Sequence, residues 1–347
     1  MFTTLARMLT VLAVALAGPL MLASCGGAEP DPRPVIGVSV PAATHGWTAG
    51  VGHWAEQAMR QHGDEVRWRF QRAAGGDQQV AHIEAMLASG IDALVFLPED
   101  AATVMRVVRE ARRQGVYLVS VDRGLEEPIA DLYVAGDNPA FGRIAAEYMV
   151  DRLNGSGRIV ILRGKSVPID AERYNAAREV FDQHEGIEIL AVQRGEWNRA
   201  DAQRVMEDIL TAHDQIDAVW ASDDDMALGA ERAIHARGRR DEMWILGGAG
   251  MAEIVKRVRD GDAMFPANVT YPPSMIATGI HLAVAEVLYD GDETRVADKL
   301  PHDAAVDPEL LLTGRDQRPE GQRELTIPIQ LITRENAAEF YYEDSPF

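Results

Sequence analysis

The feature that most constrains the fold is an alternation between short apolar, β-branched runs and amphipathic helical patterns, which extends from Val35 to about Asp260. Such an alternation is typical of βαβ units, in which parallel strands form a sheet and the intervening helices cover its faces. A first series of units ends with a short strand near 132–135, and a second series begins with a helix near Pro139. The sequence therefore predicts an α/β fold of two similar halves, each containing a doubly wound parallel sheet.

The pattern weakens after the second series. Residues from Ala297 to Arg323 are rich in Asp, Pro, Gly and Arg and show no periodicity, which predicts a long surface excursion. A last strand is predicted over Leu325–Ile332. The tail from Glu339 to Phe347 combines aromatic and acidic residues, and we expect it to pack against one half, although a frayed end is also compatible with its composition.

The first 24 residues have the pattern of an export signal. A single basic residue, Arg7, precedes an apolar run over 8–22 that is short for a membrane-spanning helix. The run ends in Leu22-Ala23-Ser24-Cys25, which resembles the lipobox of bacterial lipoproteins. The resemblance implies cleavage of the signal peptide, residues 1–24, and lipidation of Cys25. The alternative is an ordinary signal peptide with a chance cysteine, or a short anchor helix.

Cys25 is the only cysteine, so the chain forms neither an intramolecular disulfide nor a cysteine metal cluster. Residues 25–34 are rich in Gly and Pro and are predicted to be a tether. We therefore expect the folded part to be exported and lipid-anchored, either in the periplasm or on the outer face of the cell membrane.

The chain carries a formal net charge of -20. Proteins that bind nucleic acids neutralise phosphates with Lys and Arg, whereas so acidic a surface repels a polyanion. Nucleic acid is therefore excluded as a partner.

Candidate binding residues follow the predicted strands. In open parallel sheets, ligands bind beyond the carboxyl ends of the strands, where loops converge and helix N-termini present free N–H groups. The side chains at these positions are mostly aromatic rings, carboxylates and guanidinium groups: His45, Trp47, Asp122, Arg123, Arg173, Trp197 and Asp223–Asp225. This combination suits a carbohydrate or polyol, because hydroxyls donate to carboxylates and accept from arginine while an indole covers the apolar face of the ligand.

Each of these residues also has a purely structural interpretation. The aspartates at 223–225 could cap the helix that follows them, or hold a metal ion. The two tryptophans could be core aromatics, Asp122 and Arg123 could be a surface turn pair, and His45 could be an ordinary loop residue. Their shared position on one rim of the predicted sheets favours the binding interpretation.

From Val35 to about Ile332 the chain resembles the periplasmic ribose-binding protein and related sugar-binding components of ABC importers. The matching stretches are His45-Gly46-Trp47, Val119–Arg123, Ala171–Arg173, Glu196-Trp197 and Ala221–Ala230. The resemblance implies a type I periplasmic binding protein fold, with two lobes joined by a hinge that the chain crosses three times. The crossings are expected near 136–138, 270–272 and 328–330.

The resemblance also implies how the lobes divide the chain and what they do. Residues 35–137 and 271–328 would form the N-terminal lobe, and residues 138–270 and 329–347 the C-terminal lobe. Ligand contacts from both lobes would favour a closed form, which an ABC permease then recognises. The protein is expected to be a monomer without a cofactor.

The same resemblance implies ligand-binding roles for individual residues. Asp122 and Arg123 would hold ring hydroxyls, and Arg173 would reach in from the second lobe. Trp47 and Trp197 would sandwich the ligand. These roles define a cleft with contacts from both sides.

The resemblance extends to further positions, and at two of them, Leu97 and Ala249, the chain departs from the pattern of ribose binders. Asp223 stands where the family usually has asparagine, and Thr270 and Tyr271 lie where a polar side chain enters the cleft near the hinge. Leu97 replaces an asparagine of ribose binders, and Ala249 replaces a sugar-binding aspartate. The loss of two polar contacts favours a less hydroxylated, acyclic or methylated ligand, such as a polyol or deoxy sugar, over ribose itself.

Other functional classes fit less well. Gly164-Lys165-Ser166 lacks the upstream glycine of a phosphate-binding P-loop, and neither a Gly-x-Ser-x-Gly nor a His-Glu-x-x-His motif is present, so an enzyme is not expected. Repressors of the lac type carry an N-terminal DNA-binding domain where this chain has an export signal. A receptor that presents its ligand to a sensor kinase or chemoreceptor stays open as an alternative, because it would use the same closed form.

Overall fold

The computed structural model describes residues 31–301, 316–317, 321–343 and 345–347. Its strands form two parallel sheets flanked by helices, which confirms the two-lobed α/β architecture that the sequence predicted. Within those residues, no helix combines the length and the apolarity that a membrane span requires. The predicted signal peptide, Cys25 and most of the tether and of the surface excursion lie outside the described residues.

The first lobe is built on a seven-stranded sheet. Its strands are β1 (Val35–Pro41), β2 (Arg67–Ala73), β3 (Ala93–Phe96), β4 (Tyr117–Val121), β5 (Leu132–Gly136), β11 (Asp316–Gln317) and β12 (Arg323–Ile327). They pair in the order β11-β12-β5-β4-β3-β1-β2, and only β11 runs antiparallel to its neighbour. The helices of this lobe are α1 (Gly46–His62), α2 (Gly76–Ala88), α3 (Ala101–Arg113) and α9 (Met275–Tyr289). Every residue of β1 and β3 is buried, as expected for strands that are covered on both faces.

The second lobe is built on a four-stranded parallel sheet. Its strands are β6 (Gly157–Arg163), β7 (Ile187–Arg194), β8 (Ala218–Ala221) and β9 (Trp244–Leu246), in the order β7-β6-β8-β9. Its helices are α4 (Asn138–Arg152), α5 (Pro168–Phe181), α6 (Arg199–Ala212), α7 (Asp224–Ala236) and α8 (Ala252–Asp260). A separate antiparallel pair is formed by β10 (Asn268–Val269) and β13 (Leu331–Ile332).

The chain passes between the lobes three times, in neighbouring segments. The first passage joins β5 to α4, the second joins β10 to α9, and the third joins β12 to β13. Asp137 N donates to Ile327 O at 3.1 Å, and Thr270 N donates to Gln330 O at 2.9 Å. The three segments are therefore tied to one another by backbone hydrogen bonds.

Two expectations about the C-terminal third are corrected by the structure. The strand predicted over Leu325–Ile332 is two strands, β12 and β13, which belong to different sheets. Pro328 lies between them, and proline has no N–H to donate to a continuous ladder. Helix α9 was not predicted from periodicity because residues 275–285 are all buried, so the helix has no polar stripe there.

The tail contacts both lobes. The last short helical turn, Ala337–Phe340, packs against α8 of the second lobe. Beyond it, the ring of Tyr342 meets Trp54 of α1 edge-on, with centroids 6.1 Å apart. Phe347 is buried and lies close to Gly50 on the same helix. The chain thus ends against the first lobe, whereas the boundaries drawn from the sequence place 329–347 with the second.

Helices α1 and α9 meet at a buried pair of histidines. His62 Nε2 lies 2.8 Å from His281 Nδ1, and the two residues are 2% and 1% exposed. Burial lowers the pKa of His62 to about 4 and that of His281 to about 3, and Lys299 lowers both further. Both rings are therefore neutral at pH 7 and share one hydrogen bond.

We expect this pair to make the fold sensitive to acid. Because the folded pKa values lie below the ordinary value of 6.5, the stability they contribute is present above pH 6.5 and is lost as pH falls towards 4. Between pH 7 and pH 5 the loss should be on the order of 2 to 4 kcal/mol in the free energy of unfolding. Urea denaturation at pH 7 and pH 5 measures this loss in wild type and in His281→Asn. Other titrating groups contribute equally to both proteins, so the difference between the two losses belongs to the histidine pair. Equal pH slopes in the two proteins would contradict the assignment.

Candidate functional site

A cavity of about 340 Å³, including its open mouth, lies between the carboxyl edges of the two sheets. Side chains from both lobes line it: His45, Trp47, Asp122, Arg123, Ile169, Arg173, Trp197, Asp223, Ala249 and Tyr271. The structure thus brings together eight of the nine predicted ligand-binding residues. The exception is Thr270. Its Oγ1 accepts from Gln330 N at 2.9 Å, within the crossing segments, and it lines a neighbouring cavity instead.

Asp122 is placed by an unusual backbone conformation directly after β4. Its φ is 62°, a left-handed value, and the residue is 2% exposed. Its Oδ1 accepts from the hydroxyl of Tyr271 at 2.7 Å, and its Oδ2 lies 3.9 Å from Arg123 Nε. Such burial is incompatible with a surface turn pair.

Arg123 lines the cavity and is held by the neighbouring loop. Its Nη1 donates to Pro98 O at 3.0 Å and to Glu99 O at 2.9 Å, which fixes the guanidinium plane. Its Nε is buried and has no hydrogen-bond partner among the described residues. Because a buried donor without a partner costs about 1 to 3 kcal/mol, this N–H is suited to a ligand oxygen.

Arg173 reaches the cavity from α5 of the second lobe. Its guanidinium carbon lies 4.3 Å from the ring centre of Phe141 and 4.1 Å from that of Tyr271, so the cation contacts two aromatic rings that are nearly perpendicular to each other. Its Nε donates to Asn138 Oδ1 at 2.8 Å, and its Nη1 donates to Ser222 O at 3.3 Å. These contacts hold the planar group in one orientation.

The two indoles are anchored differently. Trp47 Nε1 donates to Tyr271 O at 2.9 Å, which ties the first lobe to the hinge segment. Trp197 lies against Gly164, where a Cβ atom would come within 2.0 Å of the indole. Glu196 and Trp197 both have positive φ, at 57° and 54°. Strained backbone of this kind persists where the surroundings enforce it and is frequent at functional sites.

The three consecutive aspartates have three separate sets of partners. Asp223 caps α7, since its Oδ1 accepts from Met226 N at 3.2 Å, and it also lines the cavity. Asp224 accepts from Met251 N and from Asn268 Nδ2, both at 2.7 Å. Asp225 neither caps α7 nor lines the cavity, and the interpretation of Asp224 and Asp225 as helix caps is therefore wrong. The described residues contain no group of three side chains that could hold a metal ion.

The electrostatic setting of this segment is unusual. Burial raises the pKa of Asp223 well above its ordinary value, and the neighbouring carboxylates of Asp225 and Asp224 raise it further. Burial also raises the pKa of Asp224 to about 7. Because its surroundings disfavour the charged form of Asp223, a ligand hydroxyl that donates to this carboxylate would stabilise it.

His45 presents a neutral imidazole to the cavity. Burial lowers its pKa to about 4, against the opposing effect of Asp225. Neither ring nitrogen has a hydrogen-bond partner in the described part of the chain. A neutral imidazole carries one donor and one acceptor, a pair that matches a hydroxyl group.

Two lining residues are apolar, and neither was identified as a ligand contact from the sequence. Ile169 lies in the first turn of α5, and its position shortly after a strand end is the signal that could have identified it. Ala249 has a φ of 101° and places a methyl group in the lining of the cavity. Leu97 is fully buried and is not part of the lining. Only one of the two noted departures therefore changes the cavity wall.

Comparison with known proteins places this geometry in a family. The family model described as "Periplasmic binding protein domain" matches residues 36–291. The D-ribose/D-allose-binding protein of Pseudomonas aeruginosa is 25% identical over 275 residues, which cover 76% of this chain and 85% of the relative.

Two solved structures share the fold. An ABC transporter solute-binding protein of Bacillus halodurans with bound myo-inositol superposes with a TM-score of 0.73 at 22% identity, covering 89% of this chain and 97% of the other. The fructose-binding periplasmic domain of a hybrid two-component system superposes with a TM-score of 0.71 at 23% identity, covering 88% and 94%. With its two lobes, its interlobe cavity and its match over residues 36–291, the chain belongs to the periplasmic binding protein family.

Proposed function

We propose that this protein captures a monosaccharide or polyol in the interlobe cavity and delivers it to an ABC permease. One observation carries the proposal: His45 and Arg123, which line the cavity together with two indoles, carry polar atoms that have no hydrogen-bond partner among the described residues. Hydroxyl groups satisfy such atoms, and the apolar face of a sugar or polyol packs on indole.

The division of contacts between the lobes supports capture by closure. His45, Trp47 and Asp122 belong to the first lobe, whereas Arg173 and Trp197 belong to the second. A ligand that contacts both sets binds the closed form more tightly than the open form, so it shifts the equilibrium towards closure. A permease that recognises the closed form would thereby distinguish loaded from empty protein.

The apolar part of the lining narrows the proposed ligand. Ala249 and Ile169 cannot form hydrogen bonds through their side chains, so a hydroxyl placed against them would lose its water without compensation. We therefore favour an acyclic polyol, whose hydroxyls can turn away from these side chains, a deoxy sugar or a methylated sugar over D-ribose.

A sensing role is the second candidate. The fructose-binding periplasmic domain of a two-component system has the same fold, and it belongs to a signalling protein. Genes for a permease and an ATPase beside this one would favour transport, whereas a lone sensor kinase gene would favour sensing. The cavity chemistry is the same in both cases.

We expect substitution of the charged groups to weaken binding strongly. Asp122→Ala and Arg173→Ala should each reduce the binding free energy by roughly 2 to 4 kcal/mol, because each leaves a ligand group desolvated and unpaired. Calorimetry against D-ribose, D-allose, xylitol and myo-inositol identifies the ligand and measures the loss. Arg178→Ala, an exchange at a more exposed position on the same helix as Arg173, is the matched control.

Two results would contradict this assignment. Unchanged affinity in both Asp122→Ala and Arg173→Ala would remove the cavity as the binding site. Tight binding of D-ribose with no binding of polyols would overturn the preference for an acyclic, deoxy or methylated ligand.

The contact between Trp197 and Gly164 gives a steric test of the same wall. Gly164→Ala places a methyl group within 2.0 Å of the indole, so the ring must move out of its present plane. We expect at least a tenfold loss of affinity and a changed near-ultraviolet circular dichroism spectrum. Gly75→Ala is the control, because a Cβ there meets no atom within 4 Å. Wild-type affinity and spectrum in Gly164→Ala would show that Trp197 is not a ligand wall.

We also propose that the protein is exported as a lipoprotein through Cys25. Wild type expressed in bacterial cells should incorporate radioactive palmitate, and Cys25→Ala should incorporate none, because the only thiol has been removed. Ser24→Ala keeps a small residue before the cysteine and should remain labelled. Labelled Cys25→Ala, or unlabelled wild type, would rule out the anchor.

A further inference from the structure

The lobes also meet outside the cavity, at the N-terminus of α1. Asp225, the second residue of α7, is 6% exposed, and its Oδ2 accepts from Gly46 N at 2.7 Å. Gly46 belongs to the first lobe and Asp225 to the second. The bond therefore spans the interlobe boundary, and neither residue lines the cavity.

An arginine of the second lobe fixes the orientation of the Asp225 carboxylate. Arg199, the first residue of α6, donates to Asp225 Oδ1 through Nη2 at 2.7 Å and through Nε at 3.1 Å. This pair lies within the second lobe and does not depend on closure. Oδ2 is thus oriented by the arginine and left for a donor from the opposite lobe.

Gly46 is suited to receive this contact. A Cβ atom there would lie 2.8 Å from Met251 Cε and 3.0 Å from Asp225 Oδ2, so a side chain would press on the carboxylate that accepts from Gly46 N. The residue is also flanked by two cavity residues, His45 and Trp47. A bond to its N–H consequently fixes the short segment that carries both side chains.

We propose that Asp225 is a latch: it forms its bond to Gly46 only in the closed protein, slows reopening and positions His45 and Trp47 from the opposite lobe. In an open form both groups are hydrated, and Arg199 alone keeps the carboxylate paired. The bond is thus present in the closed form and absent from the open form. A contact shifts the equilibrium between two forms only if it contributes differently to each. The effect on ligand release rests on the proposed function, whereas the effect on closure does not.

The test uses two variants of the latch and one control. Asp225→Ala removes the acceptor, and Asp225→Asn keeps an oxygen for Gly46 N–H. Glu231→Gln is the matched control, because Glu231 also lies on α7 and pairs with Arg257 at 2.6 and 2.7 Å within the second lobe. Circular dichroism and melting temperature confirm that each variant is folded. If Asp225→Ala does not fold, Arg199→Gln replaces it, since it disturbs the same carboxylate from a less buried position.

Interlobe distance is the first measurement and needs no ligand. Spin labels attached at Ala85→Cys on α2 and Ala236→Cys on α7, in a Cys25→Ser background, report the distance between the lobes by pulsed electron resonance. Both label sites are exposed. We expect the fraction of molecules at the closed distance to fall at least threefold in Asp225→Ala, less in Asp225→Asn, and not at all in Glu231→Gln.

Release kinetics are the second measurement. With whichever of D-ribose, D-allose, xylitol or myo-inositol wild type binds most tightly, Asp225→Ala should raise the dissociation rate about tenfold and leave the association rate within about twofold. A residue that merely supports the fold would not produce this split. Wild-type interlobe distances and dissociation rates in a folded Asp225→Ala protein would overturn the latch. Absence of binding by wild type would refute the proposed ligand class, and the distances would still decide the latch.

Discussion

Tyr271 is the side chain on which the geometry of the interlobe region depends. Its hydroxyl donates to Asp122, its carbonyl accepts from the indole of Trp47, and its ring stacks against the guanidinium of Arg173. It therefore contacts one charged group from each lobe while lying in a crossing segment of the hinge. Gly136, in another crossing segment, has to be glycine here, because a Cβ atom would lie 2.4 Å from the tyrosine ring.

This arrangement links hinge and cavity in one packed unit. Burial raises the pKa of Tyr271 well above its ordinary value, and the neighbouring carboxylate of Asp122 raises it further, so the hydroxyl stays protonated and acts as a donor. A movement of the hinge must therefore displace the partner of Asp122 and the face on which Arg173 rests. The orientation of two proposed ligand groups is set by the same residue that moves when the lobes move.

Much of the fold followed from the sequence because its determinants are local. Helices α6 and α8 belong to the predicted alternation of strands and helices, and amphipathic periodicity and end signals mark both. The rim of candidate residues followed from one rule: parallel strands end at a common edge, so residues far apart in sequence, such as His45 and Trp197, meet there.

What escaped prediction depends on contacts between distant segments. The sequence cannot show that Asp225 contacts Gly46, because Asp223 is the same residue type two positions away and yet lines the cavity. Nor does local pattern reveal that Thr270 is engaged by Gln330, since that bond needs two crossing segments side by side. Helix α9 escaped for a related reason: burial on every side removes the polar stripe that periodicity requires.

The balance of buried polar atoms explains why closure should depend on a ligand. Both ring nitrogens of His45 and the Nε of Arg123 lack hydrogen-bond partners among the described residues, and each such buried atom costs about 1 to 3 kcal/mol if nothing pairs with it on closure. A charge-assisted bond such as that of Asp225 contributes about 1.5 to 3 kcal/mol, which is less than the combined cost. The latch therefore offsets only part of this cost, and the closed fraction of the ligand-free protein depends on it. A ligand whose hydroxyls pair with these atoms removes that cost and makes the free energy of closure favourable. We therefore expect the closed form to be populated mainly when the ligand is bound.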